Sequence, residues 1–175
     1  MQASGPIVIA GFMGCGKTAL ASALAVRLNC KVIDLDEAIR EREARSPARI
    51  IEEDGESAFR AIETIALHDV LRDGSVGVIA LGGGAWITDT IRELINQYAR
   101  LTVWLDTPFE VCWKRISLSD AVRPLGNSRE QARKLYERRR PVYELADLRL
   151  EADEAVSLDE LACQIEGQVA PPWLT

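Results

Sequence analysis

Long apolar runs are missing from this chain: no stretch approaches the roughly eighteen apolar residues of a membrane-spanning helix, so no membrane role is expected. Cysteine is sparse and unpaired. Cys15, Cys30, Cys112 and Cys163 lie far apart with no Cys-x-x-Cys pair, which argues against zinc or disulfides and for a reduced, cytoplasmic protein. Histidine occurs once, at His68, away from every motif described below, and reads as a surface residue. Excess positive charge is also missing. A net charge of −6 excludes a general nucleic-acid surface. Lysine is scarce, four against seventeen arginines, and arginine is the better residue for forked recognition of phosphate and carboxylate. There is no repeat, low-complexity tract or linker. The first strand begins so near the N-terminus that no signal peptide is expected. What remains is one domain, 1–175, whose apolar fraction of 47% supplies a proper core.

The most informative segment is Gly11-Phe12-Met13-Gly14-Cys15-Gly16-Lys17-Thr18, a complete Gly-x-x-x-x-Gly-Lys-Thr phosphate loop. It follows the apolar run Ile7–Ala10 and precedes a helical pattern with Leu20, Leu24 and Leu28 on one face. Strand, loop and helix is the context this motif requires. Glycines let backbone N–H groups converge, and the helix N-terminus adds positive potential. Lys17 is placed to reach the β- and γ-phosphates, and the Thr18 hydroxyl to ligate Mg²⁺. Cys15 is read as lending its backbone N–H rather than its thiol.

Strand-like runs at Ile7–Ala10, Lys31–Asp34, Val76–Leu81, Leu101–Leu105 and Leu148–Leu150 alternate with helical patterns. One helix begins near Glu56 and stops at Asp73-Gly74; Thr88 and Asp106-Thr107-Pro108 are placed to cap others. Ser128-x-x-Gln131 and Ser157-x-x-Glu160 read as capping boxes. The alternation predicts an α/β fold with a five-stranded parallel sheet between two helical layers. Ligands in such folds lie beyond the carboxyl ends of the strands. Those ends carry the phosphate loop, Asp34-Leu35-Asp36, Gly82-Gly83-Gly84 and Asp106-Thr107-Pro108.

One carboxylate of the Asp34/Asp36 pair suits a Mg²⁺ shell beside Thr18, and the other suits the proton of an attacking hydroxyl. Asp36 is also placed to cap a helix over Glu37–Glu43. Gly82–Gly84 offers backbone where a ligand must come close. Arg60 and Glu63 are one helical turn apart and can pair, a pair worth little at a surface. Trp86 either borders an acceptor pocket or belongs to the core; Trp104 and Trp113 read as core packing. The segment Ser117–Asn127 has lid-like composition.

These landmarks, with Gly55-Glu56-x-x-Phe59-Arg60-x-x-Glu63, Arg123-Pro124-Leu125 and Arg139-Arg140-Pro141-x-Tyr143, make the chain resemble the shikimate kinases over nearly its whole length. The resemblance implies a three-layer phosphate-loop kinase of the nucleoside-monophosphate-kinase-like branch, strand order 2-3-1-4-5, with an acceptor region at about 34–63 and a lid at about 117–128. It implies transfer of the ATP γ-phosphate to the 3-hydroxyl of shikimate, in aromatic amino-acid biosynthesis, by a cytoplasmic monomer. ATP would be held by Gly14, Cys15, Gly16, Lys17, Thr18 and Ala19, with Arg115 on adenine and Arg123 arriving from the lid. Mg²⁺ would sit with Thr18 and Asp34. Shikimate would be held by Asp36, the candidate base, with Arg60 and Arg139 on its carboxylate and Gly82, Gly83 and Gly84 beside the ring. Lys17, Asp36 and Arg123 would be catalytic.

The chain departs from the family pattern Gly-x-Ser-Ile-x-x-Ile-Phe at Ala44–Ile51, where Pro47 and Ile51 replace bulky residues, and in the lid, where Gly126 follows Leu125. Both changes bear on acceptor affinity or identity, and a related cyclitol is an alternative acceptor. The rivals are a gluconate kinase, a nucleoside-monophosphate kinase and a silent nucleotide-binding module. A silent module would bind ATP without acceptor-dependent ADP release.

Overall fold

The computed structural model describes residues 5–118 and 128–169. The readings at Arg123, Pro124, Leu125 and Gly126 lie outside the described residues. Five strands alternate with helices: β1 Ile7–Ala10, α1 Lys17–Leu28, β2 Lys31–Asp34, α2 Leu35–Glu43, α3 Pro47–Asp54, α4 Glu56–Arg72 and β3 Val76–Ala80. A 3-10 turn at Ala85–Ile87 then leads to α5 Asp89–Tyr98, β4 Leu101–Asp106, α6 Phe109–Ser117, α7 Arg129–Tyr143, β5 Leu148–Glu151 and α8 Leu158–Val169. All pairings are parallel, in the order β2-β3-β1-β4-β5, with helices on both sides. Among the described residues no helix is long and apolar enough to cross a membrane.

The central strand shows why the sequence folds this way. All four residues of β1 are buried, as a parallel strand covered on both faces must be. Ile9 stands opposite Ala80 of β3 and Val103 of β4, so the three central strands end together. Parallel strands joined through helices bring every β-to-α connection to one edge. The phosphate loop, Asp34-Leu35-Asp36, the glycine triplet and Asp106-Thr107-Pro108 therefore meet there.

Several helix starts match the sequence reading and others do not. Ser128 accepts from the N–H of Gln131 at 3.2 Å, and Ser157 and Glu160 cap each other reciprocally. Asp36 caps nothing. Asp34 takes that position on α2, accepting from the N–H groups of Asp36 and Glu37 at 3.0 and 3.3 Å. Thr88 precedes α5 without a side-chain cap bond. Pro108 precedes α6, because the Asp106 carboxylate and the Thr107 hydroxyl are turned to other partners. Trp86 and Trp104 are both fully enclosed in the core, while Trp113 stacks on Phe109 at its margin.

Ala44 ends α2 at φ 52°, the left-handed region, where the related pattern has glycine. An alanine there carries a steric cost that glycine lacks. Ala44→Gly is expected to stabilise the fold by about 0.5–1 kcal/mol. Urea denaturation reads this as a higher midpoint with an unchanged slope; a lower midpoint would contradict the backbone argument.

Candidate active site

The donor half is the loop between β1 and α1. Gly14 has φ 75°, and a Cβ there would lie 2.8 Å from the Cys112 carbonyl, so only glycine fits. The buried Lys17 ammonium donates to the carbonyls of Gly11 and Phe12 at 3.0 and 2.9 Å, folded back on its own loop. The Thr18 hydroxyl donates to Asp34 Oδ2 at 2.6 Å. That places two hard oxygens side by side at the helix start, a donor set that suits Mg²⁺ completed by phosphate oxygens and water. Asp34 meets the Thr18 hydroxyl and caps the helix at once, one oxygen for each.

Cys15 is buried, and its carbonyl accepts from Thr107 Oγ1 at 3.1 Å and from Arg115 Nη1 at 3.0 Å. Arg115 also reaches the Gly14 carbonyl at 3.3 Å. It lies over the loop on the α6 side, with one edge of its guanidinium engaged. Beneath the loop, burial pushes the Cys112 thiol up to about 12, so it stays protonated.

The acceptor half is organised by the glycines after β3. A Cβ on Gly82 would lie 2.5 Å from Asp36 Oδ1, and one on Gly83 would lie 3.2 Å from the backbone nitrogen of Met13 in the phosphate loop. On Gly84 it would lie 2.8 Å from Arg60 Nη2 and 3.3 Å from Arg139 Nη2. Three consecutive residues thus touch the candidate base, the donor loop and both arginines. Trp86 stands beneath this ridge, its indole N–H donating to the Val142 carbonyl at 2.9 Å. It is core and not pocket wall.

Arg60 and Glu63 form an ion pair of 2.7 Å, joined by Glu56 at 3.2 Å. The Glu63 side chain is 1% exposed and that of Arg60 22%, so the pair is half-buried and not the surface pair its spacing suggested. Burial pushes the Glu63 carboxyl up, and Arg60 pulls it back. Burial also opposes the Arg60 charge, but Glu63 and Glu56 outweigh it and raise its pKa.

Arg139 contrasts with Arg60. It is 7% exposed, and among the described residues it makes no salt bridge. Its Nη1 donates to the Gly83 carbonyl at 2.9 Å, which also accepts from Tyr143 Oη at 2.7 Å. Burial lowers its pKa. A buried guanidinium held only by a carbonyl and a phenol calls for an anion from outside. Tyr143 was visible in the motif, but only the fold brings its hydroxyl to that carbonyl.

The half-buried Asp36 sits between the two halves. Burial raises its pKa above the ordinary aspartate value, with Asp34 adding to the rise, while Lys17, Arg40 and Arg60 work against it. A carboxyl raised in this way is better matched to accept a proton near neutrality.

A family model described as shikimate kinase matches residues 13–169 of this chain. The chain belongs to the shikimate kinase family. Within that family it is 40% identical over 167 residues to the Cereibacter sphaeroides enzyme, covering 94% of this chain and 82% of that one. It is 35% identical over 167 residues to the Ruegeria pomeroyi enzyme, covering 94% and 84%. The solved structure of the Acinetobacter baumannii shikimate kinase in complex with shikimate superposes with a TM-score of 0.86. It is 30% identical and covers 96% of this chain and 94% of that one.

A raised carboxyl favours its protonated form in the folded state, so ionised Asp36 costs stability above the ordinary aspartate pKa and costs nothing below it. Asp36→Asn should therefore melt at a higher temperature than the parent at neutral pH, and the gap should close near about pH 3, where aspartate is protonated in both states. Calorimetry across that range checks it. A variant less stable at neutral pH would contradict the sign.

Proposed function

We propose that this chain transfers the γ-phosphoryl group of ATP to the 3-hydroxyl of shikimate, giving shikimate 3-phosphate and ADP. One observation carries this reading: Gly82–Gly84 holds Asp36 beside the phosphate loop and, two residues on, meets two guanidiniums. A small cyclic acid with a carboxylate at one end and hydroxyls along its ring matches that spacing of groups. The carboxylate is held by Arg60 and Arg139, whose planar forks suit it, and supplies the anion that Arg139 lacks among the described residues. Asp36 accepts a hydrogen bond from the attacking hydroxyl and takes its proton as the new O–P bond forms. The bond from the γ-phosphorus to the bridging oxygen breaks in the same displacement, and ADP leaves with that oxygen's charge.

The loop from Gly14 to Ala19 cradles the β- and γ-phosphates. Lys17, now on the Gly11 and Phe12 carbonyls, exchanges these partners for phosphate oxygens. Thr18 and Asp34 would hold Mg²⁺, which when bound neutralises charge on the phosphates. Arg115 is assigned to the adenine face, and Arg123 to the charge developing on the transferred group. The chain is read as one kinase domain that acts as a monomer in the cytoplasm on small molecules alone.

ADP release tests the reading directly, with shikimate, gluconate and nucleoside monophosphates offered in parallel. Turnover is expected with shikimate; ATP binding without it would leave a silent module. Lys17→Met should lower kcat by about 100-fold or more, since it removes a charge from the transferring phosphoryl group. Arg139→Lys should raise the KM for shikimate about tenfold and leave that for ATP within about twofold, because a point charge replaces a fork. Equal losses for both substrates would overturn that division of labour.

A further inference from the structure

Asp106 ends β4 with its carboxylate buried, and two arginines from different elements share it. Arg140, on α7, grips it with both Nη atoms at 2.5 and 2.9 Å. Arg149, on β5, adds Nε at 2.9 Å and Nη2 at 2.7 Å. Both guanidinium carbons also lie over the Trp104 ring, 5.0 and 5.1 Å from its centre. The phosphoryl transfer described above uses none of these groups.

Their place in the fold suggests why they are there. Arg140 is the neighbour of Arg139 on α7, and consecutive side chains on a helix diverge by about 100°. Gripping the first therefore sets the direction of the second. The helix needs such a grip at this point, because Pro141 lies inside it. A proline removes the N–H that would bond the carbonyl four residues back and crowds that carbonyl. The ladder thus lacks its bond to the Glu137 carbonyl, across the turn that bears Arg139 and Arg140. Beyond that gap, Tyr143 stacks on Trp104 at 6.1 Å and an interplanar angle of 21°, and its hydroxyl shares the Gly83 carbonyl with Arg139. On the N-terminal side of the gap, Tyr136 Oη accepts from Arg140 at 2.8 Å and donates to the Thr107 carbonyl at 3.0 Å. The end of β4 therefore braces α7 on both sides of its weak point.

We propose that Asp106 and Arg140 are positioning residues that aim the Arg139 guanidinium at the substrate carboxylate, with Arg149 serving only to balance the Asp106 charge. The proposal rests on reading Arg139 as the carboxylate ligand. A network that merely stabilised the fold would treat its two arginines alike; a positioning device would not, because only Arg140 belongs to α7.

Steady-state kinetics and thermal melting of four variants decide between them. Asp106→Asn should raise the KM for shikimate about tenfold while leaving that for ATP within about twofold, the effect of a displaced positioning group. Arg140→Lys should raise it less, about threefold, since the charge stays and the fork is lost. Arg149→Gln should lower the melting temperature and leave both KM values within about twofold, as expected of a stabilising ion pair. Placed in an Arg139→Lys background, Asp106→Asn should add little to the KM for shikimate yet still lower the melting temperature, because residues that act through one another are not additive. An Arg149→Gln variant that matches Asp106→Asn in KM, or full additivity in that background, would overturn the proposal. If Asp106→Asn does not fold, Arg140→Lys against Arg149→Gln carries the decision, and equal KM values for those two overturn it. A wild-type chain without shikimate-dependent ADP release overturns the functional reading and this proposal together. Variants that fail while wild-type turnover is intact overturn only the proposal.

Discussion

Space withheld from side chains at three consecutive positions governs this site. Beside Gly82 the Asp36 carboxylate already occupies the volume a Cβ would need, beside Gly83 the backbone of the phosphate loop does, and beside Gly84 the ends of two arginines do. Interiors are packed too closely to absorb such an atom without moving something. The ridge therefore works as a spacer of zero thickness. It lets the donor loop after β1 and acceptor groups carried on α2, α4 and α7 close against one short segment.

Charge is handled unevenly across that ridge, and the unevenness has a direction. Arg60, itself partly exposed, is neutralised internally by the buried Glu63, and removing Arg60 would leave that carboxylate buried without its cation. Arg139 carries no such partner among the described residues and rests on a carbonyl and a phenol. Asp36 and Glu63 are both pushed up by burial. One arginine is fixed by the fold and the other is left needing an anion. Stability is given up at Asp36 and Arg139, the places where a small acid would meet the protein, as expected where activity and stability compete.

The central strand Ile7–Ala10 was legible because burial on both faces demands an apolar run, while the edge strand Lys31–Asp34, only partly buried, was legible from its place in the strand–helix alternation. Capping was legible only where the capping side chain had no competing partner. Ser128 and Ser157 cap as their spacing implies, whereas Asp106 and Thr107 do not, because tertiary neighbours take their oxygens first. The α2 cap moved from Asp36 to Asp34 for another reason: the helix starts at Leu35, two residues ahead of Glu37. Local patterns cannot rank a cap against a guanidinium that arrives from a distant helix.

The sequence by itself determined the sheet, the phosphate loop, the resemblance to the shikimate kinases and the short roster of acidic and basic groups at the strand ends. Each is set by neighbours a few residues away or by an ordered motif. Only the tertiary structure decided that the Glu63 partner of Arg60 is buried, that Trp86 is core, and that Arg139 is buried without a carboxylate among the described residues. It alone disclosed that Asp106, at the end of β4, holds Arg140 and Arg149 from two other elements. The reason is physical: burial and partner choice depend on which surfaces meet, and Asp106 lies 34 and 43 positions from Arg140 and Arg149, a separation that no local pattern spans.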